Sequence, residues 1–360
     1  MSKQSLFRSF LIILALSSST SLFAQSNVSG IIKAGPADAT KLTRAYLNPL
    51  FKGLGVGLNS GWNNTAHAKN AGRFELRFGV TGAFIPKKDE LFDVTKIGLS
   101  NNVRPANSAN FLAPTVAGSK TAGPVLDVFD DNNRKVESFT LPQGQNFPFV
   151  PAPQIQASVG LPKGIEITLR ASPKVNLGTD FGSLSMIGGG VKVEIIPLIA
   201  GKTLNKVIPV DIAVAVGYTQ FNYKLPLDVK PQGNSVPKDG QQSQDFSNQM
   251  IDAQFSGINA EAILSKKLLF FTPFVSVGYN SSKTNAHLKG NYPMITGGSL
   301  IGPRTYTTFT DPVNINQKDV NGFRANTGFQ LNLAVFRFYA SYSLGEYQAV
   351  NVGLGIGLGK

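Results

Sequence analysis

Residues 323–333 read Phe-Arg-Ala-Asn-Thr-Gly-Phe-Gln-Leu-Asn-Leu. Successive side chains of an extended chain point to opposite faces. Phe323, Ala325, Thr327, Phe329, Leu331 and Leu333 therefore share one face, and Arg324, Asn326, Gly328, Gln330 and Asn332 share the other. Residues 73–84 repeat the pattern, with Phe74, Leu76, Phe78, Val80 and Phe84 set against Arg73, Glu75, Arg77 and Thr81. In 154–159, Ile155, Ala157 and Val159 oppose Gln154, Gln156 and Ser158. After the Pro162-Lys163-Gly164 turn, Ile165, Ile167 and Leu169 oppose Glu166, Thr168 and Arg170. Further strands are expected at about 184–196, 207–223, 249–264, 268–283 and 336–346. In 249–264 the polar phase slips beside Gly257, which predicts a bulge.

Alternating segments of about ten residues, separated by turn residues, are the pattern of a transmembrane antiparallel β-barrel. A soluble sandwich also alternates, but with its apolar face inward. Two features favour the inverted arrangement. The polar face carries both charge signs at close spacing, as at Arg73/Glu75/Arg77 and Glu166/Arg170. Aromatic residues near strand ends (Trp62, Phe84, Tyr218, Tyr279, Phe338, Tyr342) suit interfacial girdles.

Short and long connections alternate along the chain, the long ones at about 225–248 and 287–320. Short turns of such barrels face the periplasm. Counting back from the C-terminal strand places 85–121 on the periplasmic side as an irregular segment and requires an extra strand within 122–141. The expected total is about twelve strands, in the range of about 10–14. Residues 53–58 (Gly-Leu-Gly-Val-Gly-Leu) and 352–359 alternate aliphatic residues with glycine. They are expected to be the first and last strands, pairing at a seam where Gly53, Gly55 and Gly57 face inward beside Gly353, Gly355 and Gly357. Residues 37–48 read as a short plug-like helix, with Pro36 at its start and Leu42, Ala45 and Tyr46 on one face. That helix is expected to dock against the seam. The expected organisation is a leader at 1–24, an N-terminal segment at 25–52 and the barrel at 53–360.

The leader reading rests on Lys3 and Arg8, the apolar core Phe10–Leu16 and the small residues Ser17–Ala24. That core is shorter than the roughly 20 residues of a membrane-spanning helix. The chain has no cysteine, which excludes disulfides, thiolate metal sites and cysteine nucleophiles. Its formal net charge of +13 is scattered, the adjacent basic pairs being Lys87-Lys88, Arg134-Lys135 and Lys266-Lys267, with no longer basic run. Scattered charge suits solvated loops and anionic lipid headgroups, not a nucleic-acid groove. The expected partners are outer-membrane lipids, the export and barrel-assembly machinery, and a lipid-like or small solute, with no nucleic acid.

Ala45-Tyr46-Leu47-Asn48-Pro49-Leu50, Gly55 through Gly61-Trp62, and Asn64-Thr65-Ala66 resemble an uncharacterised family of outer-membrane proteins from Bacteroidota. Phe92-Asp93-Val94, Gly98-Leu99-Ser100 and Val159 through Gly164 extend the resemblance over most of the chain. It implies a barrel and no particular activity. A short helix ahead of a barrel is also similar to FadL-type fatty-acid transporters, although Asn48-Pro49-Leu50 departs from their Asn-Pro-Ala motif.

Charged residues on the inward face are the candidate lumen lining: Arg73, Glu75, Arg77, Glu166, Arg170, Lys192, Glu194, Asp211, Glu261, Arg324 and Arg337. They read either as a salt-bridge network filling a narrow barrel or as a polar path for a solute. The two histidines, His67 and His287, are expected in external loops and far from a serine partner. No catalytic residue, metal ligand or cofactor is expected, and the chain is not expected to be an enzyme. The expected function is a channel or transporter-like barrel for a small or hydrophobic solute. A structural or surface-interaction barrel is the alternative, and an outer-membrane lipid-modifying enzyme comes third.

Overall fold

The computed structural model describes residues 30–130, 132–178, 181–198, 210–231, 233–297 and 303–358. The expected leader lies outside them. Ten antiparallel strands close a barrel. In chain order they are β1 (Phe74–Phe84), β2 (Phe149–Leu161), β3 (Ile165–Gly178), β4 (Gly182–Glu194) and β5 (Asp211–Pro226). They continue with β6 (Met250–Ser265), β7 (Phe271–Lys289), β8 (Val313–Leu333), β9 (Phe336–Leu344) and β10 (Ala349–Leu358). Neighbours in sequence are neighbours in the wall, and β1 pairs with β10 to close it.

The inverted arrangement holds. Phe323 is 84% exposed on the outside of β8, whereas Arg324 beside it is 5% exposed inside. On β7 and β8 the apolar belt runs between two aromatic pairs, Phe271 with Phe329 and Tyr279 with Phe323. The eight-residue step from Phe271 to Tyr279 spans about 26 Å along the strand, which at a tilt of about 40° is about 20 Å of height, most of the roughly 25 Å apolar band on membrane barrels. Beyond Tyr279, the matching outward positions are Lys283, Asn285, His287 and Lys289. These long strands therefore project past the belt at one end.

Two of the expected twelve strands do not exist, for separate reasons. Residues 53–58 are helical: they complete α1 (Pro36–Asn59), which is twice the length expected for the plug. The barrel accordingly begins at Phe74, and the three N-terminal seam glycines are helix residues. β1 pairs directly with β2, from Phe74 opposite Val159 to Phe84 opposite Phe149, leaving no place for a strand between them. Residues 122–141 instead supply Val125–Phe129 and Lys135–Thr140, which join Val103–Pro105 in a separate three-stranded sheet.

This removal also reverses one placement. Residues 85–148 connect strands at the same end as 227–249 and 290–312, not at the short-turn end. Together these segments cap the barrel. Cap residues Leu126, Phe139, Leu141, Tyr292 and Met294 share one apolar core with Leu42 and Phe51 of the helix and Phe255 and Ile315 of the wall.

The bulge expected near Gly257 is absent; β6 keeps register with both neighbours. The phase slip has another cause. Lumen-facing positions on β6 change from Ala253 and Phe255, which pack near the helix, to Asn259 and Glu261 where the helix ends. A register shift does occur on β7, between Ser282 and Lys283.

Candidate functional site in the barrel lumen

α1 enters at the capped end and runs down the lumen, packing against β1, β2 and β5 to β8. No helix among the described residues is long and apolar enough to cross a membrane. This one is enclosed by the wall instead. A helix with side chains is about 10–12 Å across, too wide for a small barrel whose interior side chains already fill much of the space. Glycine removes the conflict. A Cβ at Gly53 would lie 2.4 Å from Val150, at Gly57 2.3 Å from Ala152, and at Gly55 2.1 Å from Ser282 Oγ. Pro49 also sits inside the helix and leaves a gap in its hydrogen-bond ladder. The cap enters close by, where Val116 N–H donates to Tyr46 O.

The last four carbonyls of a helix have no partner within it. Here all four are bonded, one by the capping residue Ser60 and three by the barrel wall. Ser60 Oγ donates to Val56 O at 2.7 Å, and Gln154 Nε2 donates to Gly57 O at 2.8 Å. Arg170 donates to Leu58 O at 2.8 Å and to Ser60 O at 3.0 Å. Arg324 donates to Asn59 O at 2.7 Å and to Ser60 Oγ at 2.9 Å. The last turn of α1 has no basic residue of its own, so the wall provides the positive charge that favours a helix C-terminus. Both guanidiniums are buried, and among the described residues neither lies within ion-pair distance of a carboxylate.

Beyond the helix, residues 60–70 form a strap that descends to the short-turn end. Trp62, expected in a girdle, is buried in the lumen with the Arg170 guanidinium stacked 4.0 Å from its ring centre. Its slot is made by Gly190 and Gly217, which pair across β4 and β5. A Cβ would approach the indole to 2.8 Å and 2.5 Å respectively. Arg77 donates to Gly61 O at 2.8 Å and Trp62 O at 2.6 Å. Lower down, Asn63 donates to Glu261, and the Ala66 N–H donates to Ser265 Oγ.

Lys69 of the strap ties two clusters of wall residues together. It lies 3.1 Å from Glu166 and 3.5 Å from Glu75. Glu166 also pairs with Lys192 at 3.2 Å, and Glu75 receives Arg337 and the Tyr339 hydroxyl. Lys192 donates in addition to Thr65 O and His67 O. At the mouth, His67 lies beside Glu194 and Asp211. The Glu194 carboxylate beside it raises the affinity of His67 for a proton above the ordinary imidazole range, against the pull of burial.

Of the expected lumen residues, Glu75, Arg77, Glu166, Arg170, Lys192, Glu194, Glu261, Arg324 and Arg337 are brought together around the helix end and strap, and Asp211 joins them at the rim. Arg73 is the exception: it precedes β1 and is exposed. Both histidine placements change. His67 is at the short-turn mouth, and His287 lies within β7 across from Asp252. Gly353, Gly355 and Gly357 lie opposite Gly79, Arg77 and Glu75 in the closing pair. They do not form a docking groove for the helix. Added Cβ atoms at Gly355 and Gly357 would meet Tyr339 and Arg337, so the space beside them is filled from β9. Sequence reading missed Ser60, Trp62, Gln154 and Lys69 as members of the site. The signal for Trp62 was its position after the glycine run.

A family model described as a family of unknown function (DUF6588) matches residues 1–358. The chain belongs to that family. No curated protein matches it. Among solved structures, the outer-membrane transporter YddB from Escherichia coli is similar at 10% identity and a TM-score of 0.32. That match covers 76% of this chain but 39% of YddB, so the chain spans about two fifths of that transporter's length. The outer-membrane protease OmpT from Escherichia coli is similar at 8% identity and a TM-score of 0.33, over 83% of this chain and 100% of OmpT. The toluene transporter TodX of Pseudomonas putida is similar at 10% identity and a TM-score of 0.27, over 85% of this chain and 74% of TodX.

Proposed function

We propose that this chain is an outer-membrane barrel stoppered by its own N-terminal segment, and that it works as a structural or surface-interaction protein instead of an open pore. One observation carries the reading: every C-terminal carbonyl of the lumen helix is bonded, two of them by wall arginines that are themselves buried. An open diffusion channel has no use for a helix held this tightly. The apolar belt supports residence in a bilayer, and the absence of cysteine agrees with export. Because short turns of such barrels face the periplasm, the cap faces outward. Gly30 lies at that same end, beside Phe139 and Thr140.

Planar-bilayer recording tests the stopper. Wild-type protein is expected to show no steady conductance; stable ohmic steps would refute the reading. Surface labelling tests the orientation. Epitope tags inserted between residues 131 and 132 and directly ahead of Gly30 are expected to bind antibody on intact cells. Exposure only after the outer membrane is permeabilised would overturn the outward placement of the cap.

A second reading, uptake of a small or apolar solute, draws on a cleft in the cap lined by Ile32, Lys33, Val229, Tyr292, Met294 and Tyr306. Its walls are largely apolar and its size admits only a small apolar group, the Lys33 ammonium being paired with Glu137 at 3.6 Å. Saturable binding of a small apolar fluorescent probe, lost in Val229→Asp, would favour this reading over the first.

A further inference from the structure

His67 of the strap, Glu194 at the end of β4 and Asp211 at the start of β5 converge at the short-turn mouth. His67 Nδ1 lies 3.4 Å from Glu194 Oε2 and 3.9 Å from Asp211 Oδ1. One ligand atom from each residue lies within 4.8 Å of the others. Glu194 is the informative member. It is 2% exposed; Oε2 accepts the Ala68 N–H at 2.9 Å, and Oε1 has no hydrogen-bond partner among the described residues. A buried carboxylate oxygen left without a donor is costly, and such an atom calls for a cation or a proton. The adjacent lysine does not supply one. Lys192 is held by Glu166, Thr65 O and His67 O, and Lys267 acts on Asp211 only from beyond ion-pair distance.

We propose that His67, Glu194 and Asp211 bind a divalent first-row transition-metal ion, zinc being the best match. One imidazole and two carboxylates form a mixed nitrogen–oxygen set suited to zinc. At zinc–ligand distances of about 2.0–2.2 Å, tetrahedral ligand atoms stand about 3.4 Å apart. The observed separations reach that spacing with small side-chain rotations. Calcium and magnesium instead favour six or more oxygen ligands. The side chain of His67 is 47% exposed, which leaves a coordination position open to water. The Ala68 N–H on Glu194 orients that carboxylate, as outer-shell partners of metal ligands do. The ion would join the strap to two wall strands where the stopper segment leaves the lumen. This assignment stands independently of the reading given under Proposed function.

The test uses the full-length barrel in detergent, stripped with chelator and titrated with zinc chloride at neutral pH. One zinc per chain and a raised melting temperature are expected. His67→Ala, Glu194→Gln and Asp211→Asn should each weaken uptake by about tenfold or more. His287→Ala should leave it unchanged, and calcium or magnesium chloride should give no shift. Because His67→Ala also loosens the strap, cobalt loading of the wild type provides a second readout: visible d–d bands of a four- or five-coordinate ion. Absence of zinc uptake by the wild type, uptake that survives His67→Ala, or only octahedral cobalt bands would each overturn the proposal.

Discussion

Replacing Arg170 with methionine is expected to release the lumen helix and turn a silent barrel into a conducting one. The substitution keeps a long apolar stem but removes the arginine donor of Ser60 O, of Gln156 Oε1 and of Leu58 O, which keeps only the longer bond from Thr219 Oγ1 at 3.4 Å. Buried groups deprived of their partner cost about 1–3 kcal/mol each, and the stacking on Trp62 is lost as well. A loss of about 4 kcal/mol raises the fraction of released stoppers roughly a thousandfold, since every 1.4 kcal/mol is about a factor of ten. The wall itself should stay folded, because its strand-to-strand bonds do not involve this side chain. The expected signature is therefore intermittent current together with protease cleavage in the strap, while the barrel still migrates as a folded species on an unheated gel. Arg170→Lys should fall between wild type and methionine, because an ammonium cannot reproduce the guanidinium fork that reaches two carbonyls. A silent Arg170→Met protein with unchanged protease resistance would show that the clasp does not hold the stopper.

Gly55→Ala is expected to destabilise the stopper, and Ser282→Gly to restore it in the double variant. Alanine is the better helix former by about 1 kcal/mol, so propensity alone predicts a gain. Packing opposes it. The new Cβ would stand 2.1 Å from Ser282 Oγ and 2.8 Å from Ser282 Cβ, and overfilling of this kind costs about 1–3 kcal/mol. Ser282 Oγ is buried and has no hydrogen-bond partner among the described residues, so removing it forfeits little beyond the roughly 0.5–1 kcal/mol of a glycine in a strand. A double-mutant cycle on unfolding in detergent should therefore give a favourable coupling of about 1–3 kcal/mol between positions 55 and 282. Coupling near zero would mean that the helix does not approach β7 at this point.

These two tests fall on the part of the molecule least legible in its sequence. The wall was readable because alternation is local: Phe323 and Arg324 fall on opposite faces of their strand without reference to any partner. The same pattern, together with the mixed charges, placed Glu166, Arg170, Lys192, Glu194 and Arg324 inside. It did not say what they hold. Arg170 and Arg324 bond backbone carbonyls of a segment more than a hundred residues away in sequence, and carbonyls leave no mark in a sequence. Lys69 was hidden for a related reason, since a lysine in a loop looks solvated until the loop is found inside the barrel.

Residues 53–58 show where local reading fails. Glycines at 53, 55 and 57 have the period of a strand, yet each is also the smallest residue a tight passage can demand. The sequence by itself determined the alternating wall, from a two-residue repeat, and the mixed charges and strand-end aromatics on its two faces indicated an apolar exterior and a charged interior. Only the tertiary structure decided that the glycine run is helix. A closed barrel pairs all of its own edges and offers no edge to another strand. A segment running down its lumen must then satisfy its backbone groups internally, which a helix does. The carbonyls left over at its end are the ones that the buried arginines of the wall complete.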